Sequence, residues 1–158
     1  MRVYRMKSVL EDKFDFSKMK LLGKGIEAYV YTDGKYAYKY LHYKSNYIKW
    51  LMYLRKNKIH TSQHVPKVYG IYVCSRGWHC VVKMELLRPM KDDECRICTG
   101  IYRKVDMLAD STAKSHRGIN RVLRDIGLFV REYGANLDIH GGNIMMRNNK
   151  YVITDPVT

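Results

Sequence analysis

Strand-forming segments dominate the first half of this 158-residue sequence, and helix-forming segments dominate the second half. In the first half, alternating apolar residues are interrupted by the turn signals Asp33-Gly34 and Gly77, which predicts antiparallel hairpins. In the second half, apolar residues recur at helical spacing over residues 117–133, and Gly134 follows as a left-handed helix cap. Because strands and helices are segregated along the chain, the sequence predicts an α+β fold.

The individual elements follow from the same patterns. We predict a five-stranded antiparallel sheet from strands at 18–22, 28–32, 36–41, 68–74 and 79–84. Ser45 can cap one helix that runs to about Lys56, and a short helix is predicted near residues 101–109. A last hairpin is predicted around the turn Asn148-Asn149, with strands near 144–146 and 151–154.

Composition places the chain among soluble globular proteins, since 46% of its residues are apolar and 28% are charged. No apolar run reaches the roughly 18 residues that a transmembrane helix needs. The N-terminal residues 1–7 lack the apolar core and the cleavage site of a signal peptide. We therefore expect a cytoplasmic protein with no membrane partner.

The net charge of +14 is unevenly distributed. Between Gly34 and Met84 there is no Asp or Glu, while Lys and Arg recur throughout. Such a field attracts nucleotide phosphates, nucleic acid or an acidic protein face, although a solvated basic face is the plain alternative. The 14 tyrosines could stack single-stranded bases, but Tyr is also a common strand residue.

Four cysteines raise the question of a metal site. Cys95 and Cys98 have CxxC spacing, which can hold zinc or form a redox pair. A structural zinc site needs four ligands, and Cys74 and Cys80 flank a hairpin turn instead of forming a second ligand pair. Free thiols in a reducing cytosol are therefore favoured over a metal site.

A glycine-containing turn and a strand lysine are the first candidate site residues. Gly23, Gly25 and Ala28 stand between two predicted strands, at spacings that let backbone amides approach phosphates. Lys39 lies in the third predicted strand, where an inward ammonium needs an anionic partner such as a nucleotide phosphate. An ordinary hairpin turn and a solvent-facing lysine are the alternatives.

Residues 137–143 are the sharpest signal. Asp138 and Asn143 lie in a glycine-rich loop between the strongest helix and the last hairpin, and Asp155 follows an apolar strand. One carboxylate can orient a hydroxyl nucleophile, while an amide oxygen and a second carboxylate can hold Mg²⁺ against nucleotide phosphates. The alternative is that Asp138 and Asn143 only satisfy turn amides. Together with the glycine turn and Lys39, the order of these residues favours phosphotransfer.

These residues resemble a protein kinase over nearly the whole chain. Residues 23–30 resemble the glycine-rich loop, with Ala28 in place of its third glycine. The sequence Ala37-Tyr38-Lys39 resembles the lysine motif of strand three, and Met84-Glu85-Leu86 resembles the gatekeeper and hinge. The resemblance implies an ATP site formed by Gly23, Gly25, Ala28, Val30, Lys39, Met84, Glu85 and Leu86.

The second half resembles the rest of the kinase machinery. Residues 138–143 resemble the catalytic loop, and Asp155 stands where the magnesium-binding aspartate stands. The segments 138–145 and 151–157 are similar to the early serine/threonine kinases of T7-like bacteriophages, and the D-x-H-x-G-N pattern is also similar to aminoglycoside and choline phosphotransferases. The resemblance implies catalytic roles for Asp138, Lys39 and Asn143, and magnesium bound by Asn143 and Asp155.

The phage family implies a minimal two-lobed kinase with a strand-rich N-lobe at 1–84 and a truncated helical C-lobe at 85–158. It also implies ATP-dependent phosphorylation of Ser and Thr on host bacterial proteins in the host cytoplasm. The expected targets include the transcription and RNA-processing machinery and the kinase itself.

Two features depart from the kinase pattern. The predicted helix at 46–56 has no acidic residue to pair with Lys39, so Asp155 or Glu27 would have to supply the carboxylate. The sequence also stops three residues after Asp155. These departures leave four interpretations open. The chain can be a pared-down kinase, or a kinase completed by a partner or a second copy. It can also be a catalytically inactive binding protein that inhibits a host protein, or a basic nucleic-acid-binding module.

Overall fold

The computed structural model describes residues 1–5, 13–26, 28–74, 77–91, 97–111 and 116–158. The chain divides into two compact units, Met1–Ile48 with Lys67–Leu86 and Lys49–Pro66 with Leu87–Thr158. The assignment of two lobes to 1–84 and 85–158 stays a prediction. Within the described ranges, no helix combines the length and the apolar character needed to cross a membrane.

The first unit is built on a six-stranded mixed sheet. Its strands are β1 (Arg2–Arg5), β2 (Lys20–Lys24), β3 (Ala28–Thr32), β4 (Tyr36–His42), β5 (Val68–Val73) and β6 (His79–Glu85). Their order across the sheet is β1-β5-β6-β4-β3-β2. The prediction of a five-stranded antiparallel sheet is therefore wrong, because β1 adds a sixth strand that runs parallel to β5.

The reason for this error lies in the shortness of β1. Only Val3 and Tyr4 stand between Arg2 and Arg5, which is too little for an alternating pattern to be recognised. The strand is held by its parallel pairing with β5 and by the ring of Tyr4, which stacks on Tyr72 with centroids 4.9 Å apart. A parallel partner distant in sequence leaves no local turn signal.

The turn between β3 and β4 confirms the hairpin prediction. Gly34 has a φ of 88°, and Oδ1 of Asp33 accepts hydrogen bonds from the backbone N–H groups of Lys35 and Tyr36, both at 2.8 Å. Oδ2 of Asp33 accepts a 2.6 Å hydrogen bond from the hydroxyl of Tyr38. The Tyr38 hydroxyl is the main reason why the pKa of Asp33 falls to about 2. This turn fixes the register of the two strands that carry Val30 and Lys39.

The two faces of this sheet carry different side chains. On one face, Phe14, Tyr38 and Val81 form a buried cluster surrounded by further aromatic rings. The other face carries Lys39, which alternates along β4 with the tyrosines. Helix α1 (Asn46–Lys56) begins in this unit, and its predicted cap is present because Ser45 Oγ accepts a 3.4 Å bond from the N–H of Ile48.

The second unit combines helices with a small sheet. Its elements beyond α1 are β7 (Arg88–Pro89), α2 (Ile97–Ala109), α3 (Gly118–Tyr133), β8 (Ile144–Arg147) and β9 (Lys150–Ile153). Helix α3 and the β8–β9 hairpin lie where the sequence predicts them, and Gly134 ends α3 with a φ of 62°. Strand β7 was not predicted, because it is short and contains Pro89, a residue tolerated at the edge of a sheet.

The core of the second unit is aromatic where α1 and α3 meet. Trp50 and Tyr53 of α1 both contact Phe129 of α3, with ring centroids 5.4 Å apart in each pair. The segment after α1 is tied to the last hairpin, because the carbonyl oxygen of His64 accepts a 3.0 Å bond from the N–H of Ile153. These contacts anchor helix α3, which precedes the candidate loop 138–143, and the hairpin that follows it.

Candidate functional site

The glycine-rich segment forms a tight connection between β2 and β3. Gly23 lies in β2, Ala28 begins β3, and the N–H of Gly25 donates a 2.8 Å hydrogen bond to the carbonyl oxygen of Ala28. A Cβ atom added to Gly23 would meet no atom within 4 Å, so the space beside this backbone is open. Glu27, one of the two proposed carboxylate partners of Lys39, lies outside the described residues.

Lys39 sits in the middle of the first unit's sheet. It pairs with Val30 of β3 on one side and with Val82 of β6 on the other. Only 7% of the residue is exposed, so its side chain is buried. Its ammonium nitrogen lies 3.8 Å from the centroid of the Tyr47 ring. Burial of an ammonium is costly unless compensated, so this position suits a group that meets an anion.

The hinge-like residues follow at the end of β6. Met84 is buried, and its sulfur accepts a 3.9 Å hydrogen bond from the hydroxyl of Tyr47. Two hydrogen bonds join Glu85 to the backbone of Lys67. The Glu85 N–H donates to the Lys67 carbonyl oxygen at 3.0 Å, and Oε1 of Glu85 accepts from the Lys67 N–H at 2.7 Å. Leu86 is exposed. The Glu85 carboxylate therefore has a structural partner in the backbone of the preceding segment.

In the second unit, the side-chain amide of Asn143 closes the loop that follows α3. Nδ2 of Asn143 donates to the carbonyl oxygen of Asp138 at 2.8 Å and to its Oδ2 at 3.0 Å. This is a turn-stabilising role of the kind that the sequence also allowed. Because the amide nitrogen is used within the loop, the atom of Asn143 that can bind a cation is its acceptor Oδ1.

His140 shapes the same loop. Its Nδ1 accepts a 3.0 Å hydrogen bond from the N–H of Gly142, and its Nε2 lies 3.7 Å from Oδ1 of Asp138. A Cβ atom on Gly142 would lie 2.9 Å from Cε1 of His140, so the glycine leaves room for the imidazole. The loop therefore depends on side chains between Asp138 and Asn143 as well as on those two residues.

The C-terminal segment brings Asp155 to this loop. The N–H of Asp138 donates a 2.8 Å hydrogen bond to the carbonyl oxygen of Pro156. The N–H of Thr154 donates a 2.8 Å bond to the carbonyl oxygen of Asn143. Asp155 stands between these two tethered residues, and its Oδ1 is buried. The second unit therefore brings together three of the four residues on which the proposed chemistry depends.

The predicted site residues are thus divided between the two units. Lys39 and the other candidate ATP-binding residues belong to the first unit, whereas Asp138, Asn143 and Asp155 belong to the second. Their convergence around a single nucleotide stays a prediction.

Sequence reasoning missed Tyr47 and Thr154 as neighbours of the predicted site residues. Tyr47 is one of 14 tyrosines, and no local pattern marks it as the one beside Lys39. Thr154 was predicted only as the end of a strand, although its position directly before Asp155 was the available signal.

The cysteines do not complete a metal site within the described part of the chain. Cys74 is half-buried and Cys80 is buried, and burial raises the pKa of Cys80 to about 12. Cys95 and the side chain of Cys98 lie outside the described residues. Among the residues that the structure describes, no group of three or more His, Cys, Asp or Glu side chains is placed to hold a metal ion.

Comparison with known proteins gives a distant structural similarity. No protein-family model matches the chain, and no curated protein matches it. Among solved structures, the chain is similar to the crystal structure of the BubR1 kinase domain, with 15% sequence identity and a TM-score of 0.47. The similarity covers 98% of this chain and 52% of that one, so the chain spans about half the length of that kinase structure.

Proposed function

We propose that this chain is an ATP-dependent phosphotransferase of the protein-kinase type. The main support is the cluster in the second unit, where hydrogen bonds hold Asn143 against Asp138 and fix the residues on both sides of Asp155. The Asp138 carboxylate can orient a hydroxyl group. The amide oxygen of Asn143 and the carboxylate of Asp155 can bind magnesium and its nucleotide beside that hydroxyl.

Asp138 is the residue assigned to the acceptor hydroxyl. Its side chain is 34% exposed, so a substrate can reach it, while the hydrogen bond from Asn143 holds one carboxylate oxygen in place. A fixed carboxylate can accept the hydroxyl proton and align the oxygen with the phosphorus atom. Positioning of this kind accounts for much of the catalysis in phosphoryl transfer.

Asn143 and Asp155 are the residues assigned to magnesium. Oδ1 of Asn143 and the Asp155 carboxylate are hard oxygen donors, which fit Mg²⁺ and leave its other positions to phosphate and water. Bound magnesium would neutralise charge on the transferred phosphoryl group. The chain's contribution is to hold these two donors on adjoining, hydrogen-bonded segments.

The first unit is assigned to the nucleotide. Lys39 offers a buried ammonium in a stretch of sequence that has no acidic residue between Gly34 and Met84. We assign it to the α- and β-phosphates, with the open backbone from Gly23 to Ala28 covering them. Met84, Glu85 and Leu86 are assigned to adenine.

The substrates that we propose are Ser and Thr residues of host bacterial proteins, with the transcription and RNA-processing machinery as the first candidates and the kinase itself as another. The support is the resemblance of residues 138–145 and 151–157 to the kinases of T7-like phages. The host-cell cytoplasm is the location that this substrate class requires.

The test separates nucleotide binding from transfer. We would measure transfer of labelled phosphate from ATP to a bacterial extract, together with the melting shift caused by Mg²⁺-ATP. Asp138→Asn should reduce transfer by about 100-fold or more while keeping the shift. Asp155→Asn should lose both. Asp110→Asn is the matched control, because the Asp110 carboxylate forms an exposed ion pair with Arg131.

Two results would contradict the proposal. Wild-type protein that transfers no more label than Asp138→Asn is not a phosphotransferase towards that extract. If the same protein still shows the Mg²⁺-ATP shift, the inactive binding protein becomes the better interpretation.

Nucleic-acid binding is a second candidate, favoured by contacts between lysines and tyrosines in the first unit. The ammonium of Lys83 lies 3.8 Å from the ring centroid of Tyr36, and Tyr69, which meets Tyr36 edge-on, is 47% exposed. Exposed rings beside cations can stack unpaired bases. This function requires an affinity for single-stranded oligonucleotides that falls steeply with salt. Absence of binding at low salt excludes it.

A further inference from the structure

The ammonium group of Lys39 lies over the face of the Tyr47 ring. The distance from Nζ to the ring centroid is 3.8 Å, and the two residues are 7% and 3% exposed. A cation within about 6 Å of an aromatic face is attracted by the quadrupole of the ring, most strongly where both groups are removed from water. This contact therefore restricts where the end of the Lys39 side chain can be.

Tyr47 also reaches the second strand that borders Lys39. Its hydroxyl donates a 3.9 Å hydrogen bond to the sulfur of Met84, and Met84 lies on β6, which pairs with β4. Tyr47 stands in the first turn of α1. One helix residue thus contacts both the lysine assigned to the phosphates and the methionine assigned to adenine.

An aromatic ring differs from a carboxylate in what it does to a neighbouring ammonium. Helix α1 contains no Asp or Glu, so the position beside Lys39 on this helix is taken by a neutral side chain. A carboxylate would offset the positive charge of the lysine, whereas a neutral ring orients the ammonium and leaves its net charge unchanged.

We propose that Tyr47 is a positioning residue that holds the Lys39 ammonium in place for the phosphates of ATP. This inference rests on the proposed function of Lys39. Tyr47 contacts Lys39 through its ring and Met84 only through a 3.9 Å hydroxyl bond, so loss of the ring should weaken ATP binding much more than adenosine binding.

The experiment compares ATP with adenosine in two variants of Tyr47. Tyr47→Leu removes the ring, whereas Tyr47→Phe keeps the ring and removes only the hydroxyl. With calorimetry, we expect Tyr47→Leu to weaken ATP binding by about 10- to 30-fold, the range of a buried cation–π contact. Adenosine binding should fall far less than ATP binding in Tyr47→Leu, and Tyr47→Phe should bind ATP nearly as well as wild type.

A double-mutant cycle shows whether the effect passes through Lys39. In a Lys39→Met background, Tyr47→Leu should cause no further loss of ATP affinity, because the group that Tyr47 positions is gone. Equal losses for ATP and adenosine would overturn the proposal. The proposal would also be overturned if Tyr47→Phe bound ATP as weakly as Tyr47→Leu. The same holds if Tyr47→Leu caused its full loss of ATP affinity in the Lys39→Met background.

A second measurement keeps this proposal separate from the proposed function. Wild-type protein that binds neither ATP nor adenosine contradicts the kinase assignment, but the Lys39–Tyr47 contact can still be tested by acylation of the amine. Mass spectrometry should show faster labelling of Lys39 in Tyr47→Leu than in wild type or Tyr47→Phe, because the ring no longer shields the amine. Equal labelling rates in all three proteins would overturn the contact itself.

Discussion

Thr154 binds the carbonyl oxygen of Asn143 with two groups, its backbone N–H at 2.8 Å and its hydroxyl at 2.9 Å. Asn143 in turn binds Asp138 through its amide nitrogen. The residue directly before Asp155 is therefore connected to Asp138 through a single intermediate. This connection explains how two carboxylates that are distant in sequence come to lie on adjoining segments.

Thr154→Val should remove the hydroxyl hydrogen bond to the Asn143 carbonyl and leave no cavity, because valine has nearly the shape of threonine but no hydroxyl. We expect a loss of about 1 kcal/mol in the free energy of unfolding, the usual contribution of one hydrogen bond. Urea denaturation monitored by circular dichroism would measure it. Thr154→Ser keeps the hydroxyl and is the control. A valine variant as stable as wild type would show that the second bond to Asn143 contributes nothing.

Asn143→Asp should be more damaging, because it replaces a donor by a carboxylate next to Oδ2 of Asp138. The original distance of 3.0 Å would then separate two like charges at neutral pH. We expect a loss of about 1–3 kcal/mol in the free energy of unfolding, since Asp138 also loses its donor. Denaturation at pH 7 is the measurement.

The reversed pair is the control for that prediction. In the double variant Asp138→Asn with Asn143→Asp, an amide again faces a carboxylate, so part of the lost stability should return. Equal stability of Asn143→Asp and wild type, or no recovery in the double variant, would mean that the contact between the two side chains is not what holds the loop.

The parts of this fold that the sequence predicts are those with local signals. Helix α3 has an apolar stripe and a terminal glycine, and the β3–β4 turn has Asp33-Gly34, so both lie where the pattern places them. Strand alternation also predicts that Lys39 lies on the face opposite Tyr38, but it does not predict the burial of Lys39, because Tyr38 on the opposite face is buried as well.

What could not be predicted depends on tertiary contacts. Strand β1 pairs in parallel with a strand distant in the sequence, and the contact between the Tyr47 ring and Lys39 joins a helix residue to a strand residue. The hydroxyl of Thr154 reaches Asn143 across the ends of two strands. Residue spacing carries no information about such contacts. The loop 138–143 could be identified from its composition, but not the hydrogen bonds that close it.

Tyr38→Phe should raise the pKa of Asp33 from about 2 toward its ordinary value of 3.8, because the Tyr38 hydroxyl is the largest cause of the lowering. A carboxylate with a lowered pKa in the folded state stabilises the protein above pH 4, and this contribution is lost as the pH falls toward 2. The wild type should therefore lose more stability than Tyr38→Phe across this range.

Carbon-13 NMR of the aspartate carboxyl groups would measure the Asp33 titration directly. Asp15 is the internal control, because its pKa is lowered by Lys18 and Ser17 and does not involve Tyr38. An Asp33 titration that is the same in wild type and Tyr38→Phe would rule out the hydroxyl as the cause.

Alanine substitutions at two glycines of the second unit should have opposite effects on stability. A Cβ atom at Gly127 of α3 would lie 2.7 Å from Cβ of Ala109 and 3.0 Å from the carbonyl oxygen of Val105, whereas one at Gly100 of α2 would meet nothing within 4 Å. Gly127→Ala should therefore cost about 1–3 kcal/mol by forcing α2 and α3 apart. Gly100→Ala should stabilise the protein by up to about 1 kcal/mol, because alanine favours the helix. Thermal unfolding of both variants measures the two signs, and a stabilising Gly127→Ala would mean that the two helices do not pack as closely as the structure shows.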